Sequence, residues 1–279
     1  MEYFHAFEPG SGPAVQAAPA LFVSHGSPTT ALDHDSYYAS LSVFAQNLSP
    51  SAIVVVSAHW LTDSALEVTA IEGNCGTIHD FSGFPDELYG IEYHPRGNSA
   101  LARTIVELLA QHKIASSLNY TRGLDHGAWV PLSIMFPDAN VPVVEVSIPW
   151  PSDPEILFAM GEALRPLRLR KVMLIGSGGM THNLSLLAWD QKNAPALGDA
   201  AAFDAWVAAK LQNRDAAEIF EYLLLAPHAA AMHPTAEHFL PLFFTLGCAW
   251  DGDRLATVFE GFHHAALSMR TFAFTAAAA

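Results

Sequence analysis

Three histidines stand where short apolar runs give out. His25 follows Leu21-Phe22-Val23-Ser24, and His59 follows Ile53-Val54-Val55-Val56-Ser57-Ala58. His182 comes shortly after Val172-Met173-Leu174-Ile175-Gly176. Runs of this kind read as strands buried on both faces. In an open α/β sheet, ligands bind beyond the carboxyl ends of the strands. Neutral imidazole is also the commonest protein ligand for metals. Histidines delivered repeatedly to one rim of a sheet therefore predict a metal site.

Other segments add groups with acid, base or ligand chemistry. In Gly123-Leu124-Asp125-His126-Gly127, an Asp beside a His between glycines reads in two ways. It is a turn held by an Asx-type bond, or it carries an acid/base or substrate-donating histidine. In His233-Pro234-Thr235-Ala236-Glu237-His238, Glu237 and His238 are neighbours. On a helix they point about 100° apart, so only one would reach a given metal. Glu237 would complete a two-histidine, one-carboxylate iron site; His238 is the alternative. Residues 176–183 are glycine-rich, which invites a phosphate-cradle reading. They lack both the P-loop Lys-Ser/Thr pair and the full dinucleotide fingerprint. His79-Asp80-Phe81 and Tyr93-His94-Pro95 lie in a long aperiodic stretch, residues 72–97, of the kind that usually serves function. They are expected to wall a substrate pocket.

The elements that must position these groups follow from periodicity. Strands are predicted at 19–24, 52–58, 65–71, 141–148, 171–176 and 254–260. Helices are predicted at 35–48, 98–112, 154–166, 198–212, 215–224 and 235–246, the last capped by Thr235. The alternation predicts an α/β fold: one domain with a central, mostly parallel or mixed sheet flanked by helices. The metal site would lie at the carboxyl strand ends. The expected organisation is an arm at 1–18, a catalytic domain at 19–272 and a flexible tail at 273–279.

Composition narrows the partners. The chain has 279 residues, of which 51% are hydrophobic, enough for a large core. Its net charge is −15, with 13 Lys+Arg. That balance argues against nucleic acid and against an anionic membrane surface. No apolar run approaches the ~18 residues of a membrane span, and the first twenty residues lack the pattern of a signal peptide. Cys75 and Cys248 form no CxxC or zinc-ribbon motif, which fits a reducing, cytoplasmic setting.

The segments together resemble the class III extradiol ring-cleaving dioxygenases, in the 4,5-DOPA dioxygenase branch related to protocatechuate 4,5-dioxygenase. The resemblance spans roughly residues 19–270. It is carried by His25-Gly26-Ser27-Pro28, Val54-Val55-Val56-Ser57-Ala58-His59-Trp60, Thr77-Ile78-His79-Asp80-Phe81-Ser82-Gly83-Phe84-Pro85, Gly123 to Gly127, Ser177-Gly178 with His182-Asn183-Leu184, and Pro234 to His238. It implies Fe(II)-dependent insertion of O2 into a small aromatic diol, giving a muconic semialdehyde. It implies metal ligation by His25, His59 and one of the Glu237-His238 pair, with His238 chosen here. His182 becomes a fourth ligand or the catalytic base, and His126 an acid/base residue. His79, Tyr93, Trp129 and Ser27 are expected to bind substrate. An all-histidine site could also hold Zn(II). Two rival readings are a zinc hydrolase or amidase using metal-bound water and a non-catalytic protein keeping the metal pocket for binding. The presence of both His126 and His182 favours catalysis. A monomer or a homodimer fits equally.

Overall fold

A computed structural model describes residues 17–276, except Ser64 and Arg214. Most of the segment expected to be an arm lies outside the described residues. The strands are β1 (Ala20–Ser24), β2 (Ala52–Thr62), β3 (Leu66–Thr69), β4 (Ser116–Asn119), β5 (Val143–Pro149), β6 (Val172–Gly178), β7 (Arg254–Phe259), β8 (Phe262–His263), β9 (Leu267–Ser268) and β10 (Thr271–Thr275). The helices are α1 (Ser36–Gln46), α2 (Asp86–Tyr89), α3 (Ser99–Gln111), α4 (His126–Met135), α5 (Pro154–Leu164), α6 (Gly198–Asn213), α7 (Ala216–Phe220), α8 (Tyr222–Leu225), α9 (Ala229–Met232) and α10 (Leu240–Gly247).

The main sheet runs β4-β3-β5-β2-β6-β1-β10-β7. Its centre, β5-β2-β6-β1, is parallel, while β3 meets β5, and β10 meets both β1 and β7, in antiparallel fashion. The expected mixed α/β sheet is borne out. Alternate side chains of the central strands enter two cores, as a two-residue period demands. Phe22, Val54 and Leu174 pack with α3, α5, α6 and α10 on one face. Leu21, Val55 and Ile175 pack with α1 and α4 on the other. Both faces are covered, which is why these strands read as unbroken apolar runs. The α1 and α3 starts are capped by Asp35 and Asn98, whose side chains accept from Tyr38 N–H and Leu101 N–H. No helix among the described residues is long and apolar enough to cross a membrane.

Four expectations need correction. β2 does not end at Ala58 but continues to Thr62, so His59 lies inside a strand, at an irregularity in its pairing with β5. The 235–246 helix starts only at Leu240. Thr235 does not cap it, because its hydroxyl donates to the Glu237 carboxylate. The segment after Asp125 is the buried helix α4 rather than an isolated turn, and Asp125 caps it by accepting from Ala128 N–H. The expected tail contains β10 up to Thr275, which pairs with both β1 and β7.

Arg168 clamps the end of the sheet opposite the histidines. It is fully buried and donates to the carbonyls of Ala18, Cys248 and Phe274 and to the Asp253 carboxylate at 2.6–3.1 Å. Removing one partner of a buried ion pair leaves the other uncompensated. Arg168→Ala is expected to lower stability by about 3–5 kcal/mol in urea unfolding. A loss below about 1 kcal/mol, the range of an exposed pair, would show that the clamp carries no weight.

Candidate metal centre

The parallel trio β2-β6-β1 brings three chain ends to one rim. His25 directly follows β1 and is buried. His59 projects from the irregular part of β2. His238 sits in the turn before α10, also buried. Their ring nitrogens converge: His59 Nε2 lies 3.1 Å from His25 Nε2 and 3.2 Å from His238 Nε2.

The partners on the far side of each ring determine what points inward. Ser177 Oγ donates its one proton to the Gly127 carbonyl, so it can only accept from His25 Nδ1–H, at 3.0 Å. His59 Nδ1 faces Asp80 Oδ2 at 3.3 Å, and His238 Nδ1 faces Glu237 Oε1 at 3.1 Å. Each carboxylate accepts the Nδ1 proton. All three rings thus present bare Nε2 lone pairs to a common point, an arrangement that repels itself without a cation. Metal–imidazole bonds of about 2.0–2.1 Å set ligand nitrogens about 3 Å apart, which matches the spacing seen. Outer carboxylates that orient ligating imidazoles are the usual support of such sites. Imidazole donors suit iron and zinc alike.

Electrostatics point the same way. Burial first, then the neighbouring histidines, hold His25 and His238 well below the ordinary imidazole range. Both are therefore neutral, as ligation requires. Burial works to raise the Asp80 carboxyl, but hydrogen bonds from His126 and His59 outweigh it and keep it strongly ionised.

Asp80 also joins the other histidines to the site. Its Oδ1 accepts from His126 N–H at 2.9 Å and faces His126 Nδ1 at 3.0 Å. His126 opens α4, its ring 3.9 Å from that of His59, centroid to centroid. His182 lies flat on His238, with centroids 3.4 Å apart and planes 6° from parallel. In-plane lone pairs of stacked rings run side by side and do not meet at one point. Burial lowers the His182 imidazole to about 4, with Glu237 opposing.

The remaining predicted residues divide. His79 and Trp129 stand in an aromatic group with Phe81 and Tyr89, and Phe81 reaches the His126 ring at 5.6 Å. His79 Nε2 bonds to the Ile91 carbonyl and Trp129 Nε1–H to that of Ile78. Tyr93 is buried in the core, its hydroxyl donating to Phe136. Ser27 caps the short 3-10 turn at Pro28–Ala31. Glu237 sits behind His238 rather than in its place. Sequence reasoning missed Asp80 and Ser177 as the groups that orient His59, His126 and His25. The carboxylate beside His79 was visible, but nothing local tied it to histidines 21 residues before and 46 after.

A model of the family described as the catalytic LigB subunit of aromatic ring-opening dioxygenase matches residues 19–274. The chain belongs to this family. Among LigB-family relatives, "4,5-DOPA dioxygenase extradiol" of Escherichia coli (strain K12) is 40% identical over 255 residues, covering 90% of this chain and 92% of its own. The Beta vulgaris protein of the same name is 36% identical over 265 residues, covering 91% and 96%. A crystal structure of an uncharacterized Escherichia coli K12 protein superposes with a TM-score of 0.77 at 34% identity, covering 92% of this chain and 99% of that one. The chain is thus an extradiol ring-opening enzyme, and a metal-dependent one.

One glycine fixes the ligand turn to the sheet in this LigB-family chain. A Cβ on Gly178 would sit 2.2 Å from the His238 carbonyl oxygen, which accepts from Gly179 N–H at 2.9 Å. Gly178→Ala must push the His238 backbone away from β6. Metal affinity is expected to fall about 10–100-fold, the range for lost ligand support, in a metal titration of the folded variant. Unchanged affinity would show that the turn adapts freely.

Proposed function

We propose that the protein is an Fe(II)-dependent dioxygenase that opens the ring of a small catechol of the DOPA type, consuming O2. The observation that carries this reading is the convergence of three bare Nε2 lone pairs, with two further histidines at the same rim. His25, His59 and His238 would hold the metal. Bound Fe(II) would gather catechol and O2 at one centre and exchange electrons with both.

His182 is assigned the base. It is neutral, and its parallel stack on His238 keeps it off the same metal. It would take a proton from a catechol hydroxyl, which raises the electron density of the ring. His126 would take up the second catechol hydroxyl proton at Nε2 and return it as the ring opens. Asp80 holds its Nδ1 side, so that Nε2 is left to exchange the proton. Phe81, packed against His126, offers an aromatic edge to the substrate ring. The DOPA-type substrate is supported by the names of the relatives.

Protein reconstituted with Fe(II) without oxygen, then given DOPA and air, is expected to take up O2 and form a yellow ring-opened product. The Zn(II)-loaded protein is expected to take up none. An iron-replete protein that consumed no O2 across a panel of catechols would overturn the reading.

A further inference from the structure

Behind His59 and His126 lies a buried acid that the chemistry above does not use. Glu145 projects from β5, level with Val55 of β2, and is fully buried. Neither of its carboxyl oxygens has a hydrogen-bond partner among the described residues. Its neighbour is Asp125, equally buried. Asp125 Oδ1 accepts from Ser57 Oγ–H at 2.6 Å and from Ala128 N–H at 3.2 Å, and Oδ2 accepts from Arg122 at 3.1 Å.

Two carboxylates, each able only to accept, cannot bond to one another. Arg122 supplies a single positive charge for both. An unpaired carboxylate in such a place is costly enough that the group takes up a proton instead. Burial first, then the adjacent Asp125 carboxylate, pushes the Glu145 carboxyl well above its ordinary value; the Arg122 charge opposes this without overcoming it.

We infer that Glu145 is a neutral carboxylic acid whose O–H donates to Asp125, and that this bond is a positioning element for the amino end of α4. Asp125 is the cap of that helix, and His126 is its first residue. The Ser57 oxygen that donates to Asp125 also accepts from His59 N–H at 3.2 Å. Asp125 therefore stands between the backbones of two site histidines, and Glu145 completes its set of donors. The positioning role rests on the assignment of His126 as a proton-transfer residue; the shared proton itself does not.

Infrared spectroscopy of the metal-loaded protein at neutral pH, wild type minus Glu145→Gln, tests the proton directly. A carbonyl band of a protonated carboxylic acid, shifted in heavy water, is expected in the wild type and absent from the variant. Kinetics test the role. Glu145→Gln keeps a neutral donor and is expected to hold kcat within about threefold of wild type. Glu145→Leu leaves Asp125 one donor short and is expected to lower kcat about tenfold, with KM and bound metal unchanged. A wild type without the band overturns the inference, as does a Gln variant as impaired as the Leu one. If Glu145→Leu does not fold, the band and the Gln variant decide. The band also reports on the pair in a protein that opens no catechol, so the two readings fail separately.

Discussion

His59→Ala is expected to strip the protein of metal and activity together. His59 Nε2 is the nitrogen that both other inward-facing rings approach, at 3.1 and 3.2 Å. Its removal leaves His25 and His238 with no third donor between them. Outer partners of a metal ligand are typically worth 10–100-fold in affinity, so loss of a ligand itself should cost more than about 100-fold. Metal content after dialysis, against wild type and Asp80→Asn, checks this. Asp80→Asn should stay within the range of an outer partner, because an amide oxygen still accepts from His59 Nδ1–H. Full metal occupancy in His59→Ala would sink the ligand assignment. His25→Ala and His238→Ala are expected to behave like His59→Ala, whereas Glu237→Gln is expected to resemble Asp80→Asn.

His182→Ala should separate binding from turnover. The stacked ring contributes a face, not a lone pair, to His238. Its loss therefore leaves the three converging nitrogens in place. Metal content is expected to remain near that of wild type. Turnover should fall about 10²–10⁴-fold, the usual contribution of a positioned acid–base group. Since burial keeps the His182 imidazole near 4, it is in its proton-accepting form throughout the neutral range. The wild-type rate should then show no loss from His182 protonation until the pH approaches 4. A variant that lost its metal along with its turnover would make His182 a ligand; one that kept full turnover would remove it from the chemistry.

What could be read in the sequence was whatever a strand or helix announces within a few residues. β1, β5 and β6 stood out because burial on both faces makes them continuous apolar runs, and their histidine neighbours came with them. α4 did not stand out. It is apolar all round and carries Pro131 inside, so it shows no amphipathic period, and its capping Asp125 looked like a turn residue. β2 seemed to end at Ala58, yet the strand continues through a pairing irregularity to Thr62. The late helix was placed too early because Thr235, a good cap by type, spends its hydroxyl on Glu237. Within the site, residue types gave the five histidines, but not which nitrogen each would turn inward. That depends on Ser177, Asp80 and Glu237, contacts set by tertiary packing and invisible to spacing. Tyr93 and Ser27 show the converse: a polar atom in a suggestive segment is engaged elsewhere, with Phe136 and with Thr29.

The place of β10 bears on how the enzyme is made. β1, which delivers the first histidine of the site, precedes every other strand of the sheet along the chain. One of its neighbours in the sheet is β6, and the other is β10, the last of the described strands. Contacts so distant in sequence form late and slowly. While synthesis proceeds, the apolar β1 strand lacks both partners and is open to misassociation. β1 is therefore paired on both edges only after β10 has been made. Chains cut short before Thr271 would leave one edge of β1 unpaired.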